Sequence, residues 1–176
     1  MNTTTNLFIE NPERKFHLRE IARILKKSPA TISKNLNKLY KEKLLLREKL
    51  SNHNYFMANI ENKKYKQLKL SYNLEKLNNS EIIEFIEKKL HFPQAIILFG
   101  SYAKAENNSQ SDIDLLVISP TKNNINLKKF EKELGKEIHL FVNSKNEIQK
   151  MKKTNPELLN SWINGIVLYG FWEVFE

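Results

Sequence analysis

Two acids one residue apart, Asp112 and Asp114, open an apolar run that continues Leu115-Leu116-Val117-Ile118. In an extended strand successive side chains point to opposite faces, so the two carboxylates project from the same face about 7 Å apart along the backbone. Ile113, Leu115 and Val117 then point the other way, into a core. Like charges held that close disfavour joint ionisation unless something positive sits between them. A divalent metal is the usual resolution, and hard oxygen ligands select Mg²⁺, which takes one or two protein carboxylates and fills its shell with water and substrate phosphates. Upstream, an apolar strand from Ala95 to Phe99 runs into Gly100-Ser101, and ten residues separate Ser101 from Asp112. Glycine at a strand-to-helix turn lets a ligand approach the backbone closely. The N–H groups that open the short helix predicted over Ser101 to Ala105 point at anions. The stretch 98–118 therefore reads as a nucleoside triphosphate cradle beside a metal pair.

Gly-Ser, a ten-residue loop, then Asp-Ile-Asp before an apolar run resembles the signature of the DNA polymerase β-like nucleotidyltransferase superfamily. Within it, Phe-Gly-Ser-Tyr-Ala-Lys-Ala (99–105) and Ser-Asp-Ile-Asp-Leu-Leu-Val (111–117) are most similar to the minimal nucleotidyltransferases, which occur alone or paired with small helical partners. The resemblance covers roughly Glu81 to Gly170. It implies transfer of a nucleoside monophosphate from a triphosphate, with ATP expected, to an acceptor that the residues do not name, a protein or an RNA. Asp112 and Asp114 are implied as ligands of two Mg²⁺ ions that clamp the attacking and leaving oxygens of an in-line displacement. Gly100 and Ser101, with the amides around them, are implied to grip the β and γ phosphates. Lys104 stands where relatives often carry arginine and would contact the same phosphates as a point charge.

Active relatives usually add a third carboxylate from the next long strand, here within 135–142. Alternation puts Glu137, His139 and Phe141 on one face and Ile138, Leu140 and Val142 on the other. The expected place of the acid falls on His139, with Glu137 two residues earlier on the same side. Either Glu137 reaches the second metal, or the site binds nucleotide without efficient transfer.

Composition sets the surrounding bounds. The chain has 176 residues, 40% of them hydrophobic, and no cysteine, which excludes disulfides and thiolate zinc sites and fits an intracellular protein. The amino terminus lacks the basic segment and apolar run of a secretory signal, and no apolar stretch approaches the ~20 residues of a membrane span. A cytoplasmic protein without membrane contact is expected. The net charge of +9 is unevenly placed: residues 1–80 hold 17 lysines and arginines against 7 acids, and the remainder hold 12 against 13. All of the basic excess lies in the first half, which argues for two modules with the first facing a polyanion.

That first half has its own frame. A short apolar helix is expected from about Thr4 to Glu10, ended by Asn11-Pro12. Leu18, Ile21, Ala22 and Leu25 fall on one face of a second helix, and Ser28-Pro29 signals the start of a third, with serine capping and proline at the first helical position. The third helix, Pro29 to about Glu42, is expected to bury Ile32, Leu36, Leu39 and Tyr40. Two short strands follow, Leu44 to Lys49 and Tyr55 to Ala58, about a polar turn at 50–54. Helix, turn, helix, hairpin, with the run from Leu18 to Leu39, resembles a winged helix-turn-helix. The resemblance implies that the second helix of the motif enters the DNA major groove. Thr31, Ser33, Lys34 and Lys38 would be its contacts, with Lys26, Lys27, Arg47 and Lys49 on the phosphate backbone.

From Lys63 to Asn78 a basic helix is apolar on two sides, Tyr65-Leu68-Tyr72 and Leu70-Leu74-Leu77, and such a helix packs against more than one thing. Ser80 is expected to cap the next helix, Leu127, Phe130 and Leu134 to face inward on a later one, and 166–170 to form a last strand. The expected fold is mixed α+β: a winged helix-turn-helix over 1–60, a connector helix over 61–79 and a nucleotidyltransferase-like α/β domain with a small mixed sheet over 80–176. The first functional expectation is a Mg²⁺-dependent nucleotidyltransferase tethered to a DNA-binding winged helix, and a homodimer. Its rivals are a transcriptional regulator whose weak or inactive transferase fold senses nucleotide or dimerises, and the antitoxin of a toxin–antitoxin pair.

Overall fold

The computed structural model describes residues 3–50 and 52–173, a mixed α+β fold that divides into two units, Met1–Tyr72 and Asn73–Glu176. In the first, α1 (Thr3–Glu10), β1 (Phe16–His17), α2 (Leu18–Ile24), α3 (Pro29–Lys41), β2 (Leu45–Leu50) and β3 (His53–Ala58) follow one another. The Ser28 hydroxyl accepts from the Thr31 amide and Pro29 takes the first helical position, so α3 starts where its capping chemistry dictates. It buries Ile32, Leu36 and Leu39. Tyr40, expected beside them, is instead 39% exposed. Arg47, on the neighbouring strand, lies over its ring at 4.7 Å, and this cation–π contact holds the ring outside the core. β2 and β3 pair antiparallel from Leu45↔Ala58 to Leu50↔His53. Ser51, part of the predicted turn, lies outside the described residues.

β1 adds a third strand, giving the order β1-β3-β2. Two residues are too few to show alternation, which is why periodicity misses it. Phe8, Phe16, Ile21, Ile32, Leu36 and Phe56 form the centre of this unit's core, with Phe8 and Phe16 edge to face at 5.4 Å. The long helix α4 (Lys63–Asn79) gives Tyr65, Leu68 and Tyr72 to that core, and the buried Tyr65 hydroxyl donates to the Phe8 carbonyl at 3.0 Å.

The second unit takes Leu74 and Leu77 from the end of α4 into its own core. It continues with α5 (Ile82–Lys89), β4 (Ala95–Phe99), α6 (Gly100–Ala103), β5 (Ile113–Ile118), α7 (Lys128–Leu134), β6 (Ile138–Asn143), α8 (Lys145–Thr154), α9 (Pro156–Ile163) and β7 (Ile166–Gly170). Ser80 does not cap α5: its hydroxyl donates back to Leu77 O at 2.7 Å and closes α4, while Glu81 takes the cap position at φ +59. The sheet order is β6-β5-β4-β7. β5 and β6 run parallel, joined through α7, and the other pairs are antiparallel.

Strand alternation sorts the apolar residues of β4 and β5 onto two cores, one on each face of the sheet. Ile96, Leu98, Ile113, Leu115 and Val117 meet α5 and α7 residues such as Ile86 and Phe130. Ala95, Ile97, Phe99, Leu116 and Ile118 meet Ile148, Leu159 and Trp162. Both central strands are thus locked from above and below, a rigid base for whatever stands at their ends. No helix among the described residues is long and apolar enough to cross a membrane.

Candidate active site

The end of that rigid base gathers the acids. Asp114 is paired in register with Phe99 on one side and with His139 on the other, so it stands between the Gly100 turn and β6. Gly100 has φ +69, and a Cβ built there would lie 2.2 Å from Asp114 Oδ2. Glycine is therefore required twice, by a left-handed backbone and by a carboxylate that occupies the space of a side chain. α6 is a single four-residue turn, shorter than the helix predicted to Ala105.

His139 spans the acids. Its Nδ1 lies 3.4 Å from Asp114 Oδ1, and its Nε2 lies 3.9 Å from Asp112 Oδ2 and 3.8 Å from Glu137 Oε1. Asp112 and Asp114 thus approach one imidazole and share a side of the strand. Their side chains are 40% and 25% exposed, while Glu137, just before β6, is 69% exposed. Burial lifts the Asp114 carboxyl above its ordinary value; His139 pulls it back, and the charge of Asp112 adds to the rise. Ser101 is half-buried and its carbonyl accepts from the Glu106 amide at 2.9 Å. Lys104 ends α6 with its side chain exposed and forms no ion pair among the described residues.

Residues that the sequence reading missed hold the loop between Ser101 and Asp112. Asn73, buried, donates to Tyr102 O at 3.1 Å and to Asn107 Oδ1 at 2.9 Å. Lys136 donates to Asn108 O at 2.9 Å and Ser109 O at 2.6 Å. Burial lowers the Lys136 ammonium from its ordinary value, Lys76 adds to the fall and Asp112 opposes it. No spacing rule points to Asn73, which lies on a helix almost thirty residues before the loop it holds. Lys136 carried a weak signal, its place next to the strand of Glu137.

The donor set suits Mg²⁺. Among the described residues no group of three or more His, Cys, Asp and Glu side chains is arranged to hold a metal ion, so an all-protein cage is not offered. Two carboxylates on one face, partly open to solvent, match an ion that keeps much of its shell for water and phosphate oxygens.

In the first unit, Thr31, Lys34, Lys38, Arg47 and Lys49 are exposed and Ser33 is half-buried. Thr31 Oγ1 is 2.8 Å from Ser28 Oγ, within the cap of α3. Ser33 and Arg47 line one cleft of about 400 Å³, which Thr31, Lys34, Lys38 and Lys49 do not line.

A family model described as a nucleotidyltransferase domain matches residues 79–169, just over half of the chain. The match contains Gly100, Ser101, Asp112, Asp114 and His139 and leaves the first unit out. No curated protein matches the chain.

Proposed function

The chain belongs to the nucleotidyltransferase domain family, and from that premise we propose that it moves a nucleoside monophosphate from a nucleoside triphosphate, ATP by expectation, onto an acceptor. In that reaction the bond from the α phosphorus to its bridging oxygen breaks, the acceptor forms a new bond to that phosphorus, and pyrophosphate leaves. The observation that carries the reading is the Asp114 carboxylate, 2.2 Å from where a Cβ on Gly100 would stand, with Asp112 and Asp114 both approaching His139. Asp112 and Asp114 would hold Mg²⁺, which when bound neutralises charge on the attacking and leaving oxygens. Gly100 makes room for the Asp114 carboxylate, and the amides that follow it in α6 would meet the phosphate oxygens. Ser101 and Lys104 offer a hydroxyl and a point charge to the outer phosphates. Glu137, 3.8 Å from His139 Nε2, would contribute to a second cation position.

His139 favours a second reading. It stands among all three acids, at the place where a third carboxylate is expected, and this supports a site that binds nucleotide and transfers it slowly. The first unit would then act as the effector. We read that unit as a winged helix-turn-helix on DNA, through Thr31, Ser33, Lys34 and Lys38 of α3, with Arg47 and Lys49 on the phosphate backbone. Its support is the element order and the concentration of positive charge before residue 80.

Incorporation of α-labelled nucleotide separates the two. The transferase reading expects label on an acceptor with the wild-type chain and about a thousandfold less, or none, with Asp112→Asn/Asp114→Asn. ATP binding without turnover, together with a shift of promoter DNA, would give the regulator reading the field.

A further inference from the structure

The cleft of the first unit is more than the meeting place of Ser33 and Arg47. Its wall also brings together His17, Arg19, Asn37, His53 and Asn54, and no acid among the described residues lines it. The acids next in sequence to its two arginines have other partners, and Glu20 Oε2 also accepts from the His17 amide in its wall at 3.4 Å. Glu20 pairs with Arg14 at 2.5 Å and Glu48 with Lys15 at 2.6 Å. Arg19 and Arg47 form no ion pair among the described residues, and Arg47 is steadied over the Tyr40 ring. The rings of His17 and His53 meet edge to face at 5.0 Å, fixing β1 and the hairpin side of the wall against each other.

Arginine forks without carboxylate partners, beside amide and imidazole donors, present a concave set of N–H groups suited to a tetrahedral oxyanion. A volume of about 400 Å³ is in the range of small-ligand sites. We propose that this cleft is a phosphate-binding site, taking a phosphate carried on a nucleic-acid backbone or on a free nucleotide. Only its nucleic-acid source rests on the reading of this unit as a DNA-binding module.

The test is NMR titration of the ¹⁵N-labelled full chain with sodium phosphate, ATP and a short DNA duplex, in an Asp112→Asn/Asp114→Asn background that removes the other nucleotide site. Saturable shifts at the amides of His17, Arg19, Asn37 and Asn54 are expected. Arg19→Gln/Arg47→Gln, both at exposed positions and with an otherwise unchanged spectrum, should weaken that response about tenfold. Shifts with duplex but not ATP assign the phosphate to the nucleic-acid backbone; shifts with ATP assign it to a free nucleotide. Cleft amides that stay still with every probe, or a double variant that binds as the parent does, overturn the proposal. Duplex that binds through Lys34 and Lys38 while the cleft amides stay still sinks the cleft and spares the DNA reading. ATP in the cleft with no duplex binding does the reverse.

Discussion

The two units solve opposite problems. In the second, two aspartates stand at the end of strands packed on both faces, with Asp114 so close to Gly100 that one added methyl has no room. In the first, Lys34 and Lys38 stand exposed on α3, where replacing either leaves the packing untouched. Phosphoryl chemistry needs atoms held to within an ångström, whereas attraction to a polyanion needs charge on one side and tolerates movement. On the proposed reading, few residues would carry transfer and many would share binding to DNA.

The sharpest way to break the contrast is Gly100→Ala. The new Cβ must displace the Asp114 carboxylate at a φ that disfavours alanine, so transfer should fall about a hundredfold while DNA affinity stays as it was. Steady-state rates beside fluorescence anisotropy on labelled duplex check both halves. Equal loss of the two activities would mean that the variant simply unfolds.

The converse change is Lys34→Ala/Lys38→Ala. Here DNA affinity should drop several-fold, and the slope of log affinity against log salt should shrink by about 2, one for each phosphate contact. Transfer should be unaltered. An unchanged slope removes α3 from the interface.

The smallest effect is one of stability. Burial raises the Asp114 carboxyl, so between the ordinary aspartate value and the raised one the folded chain binds more protons than the unfolded one. Stability therefore falls as pH rises through that window. Asp114→Asn escapes the fall and should melt about 2 °C higher at neutral pH, with the advantage vanishing in acid below the ordinary aspartate range. Thermal melts at pH 7 and at acid pH read this directly, and an asparagine variant that melts lower would mean that burial is not what dominates at that carboxyl.

Much of the architecture was legible because local chemistry and packing agree. Ser28-Pro29 starts α3, and the alternation of 113–118 sends its apolar residues to two cores as a buried strand must. Where they disagree, the sequence misleads. Tyr40 fits the apolar stripe of α3 but is drawn outward by Arg47, and Ser80 looks like a cap but serves the helix behind it. β1 is too short to carry a period. At the site, Asp112, Asp114 and Gly100 could be read from spacing, since adjacency along one strand and across one turn is local. The role of Asn73 and Lys136 in holding 102–109 could not, because it exists only once distant segments are brought together. That His139 lies within reach of three acids follows from the β5–β6 register, and no single strand states it.

The most direct measurement is Mn²⁺ binding by electron paramagnetic resonance, with Mn²⁺ in place of Mg²⁺ and a non-hydrolysable ATP analogue present. The wild-type chain should retain nucleotide-dependent Mn²⁺, and Asp112→Asn/Asp114→Asn should lose it. A double variant that binds the ion and the analogue as tightly as the wild type would contradict a metal site at the two aspartates.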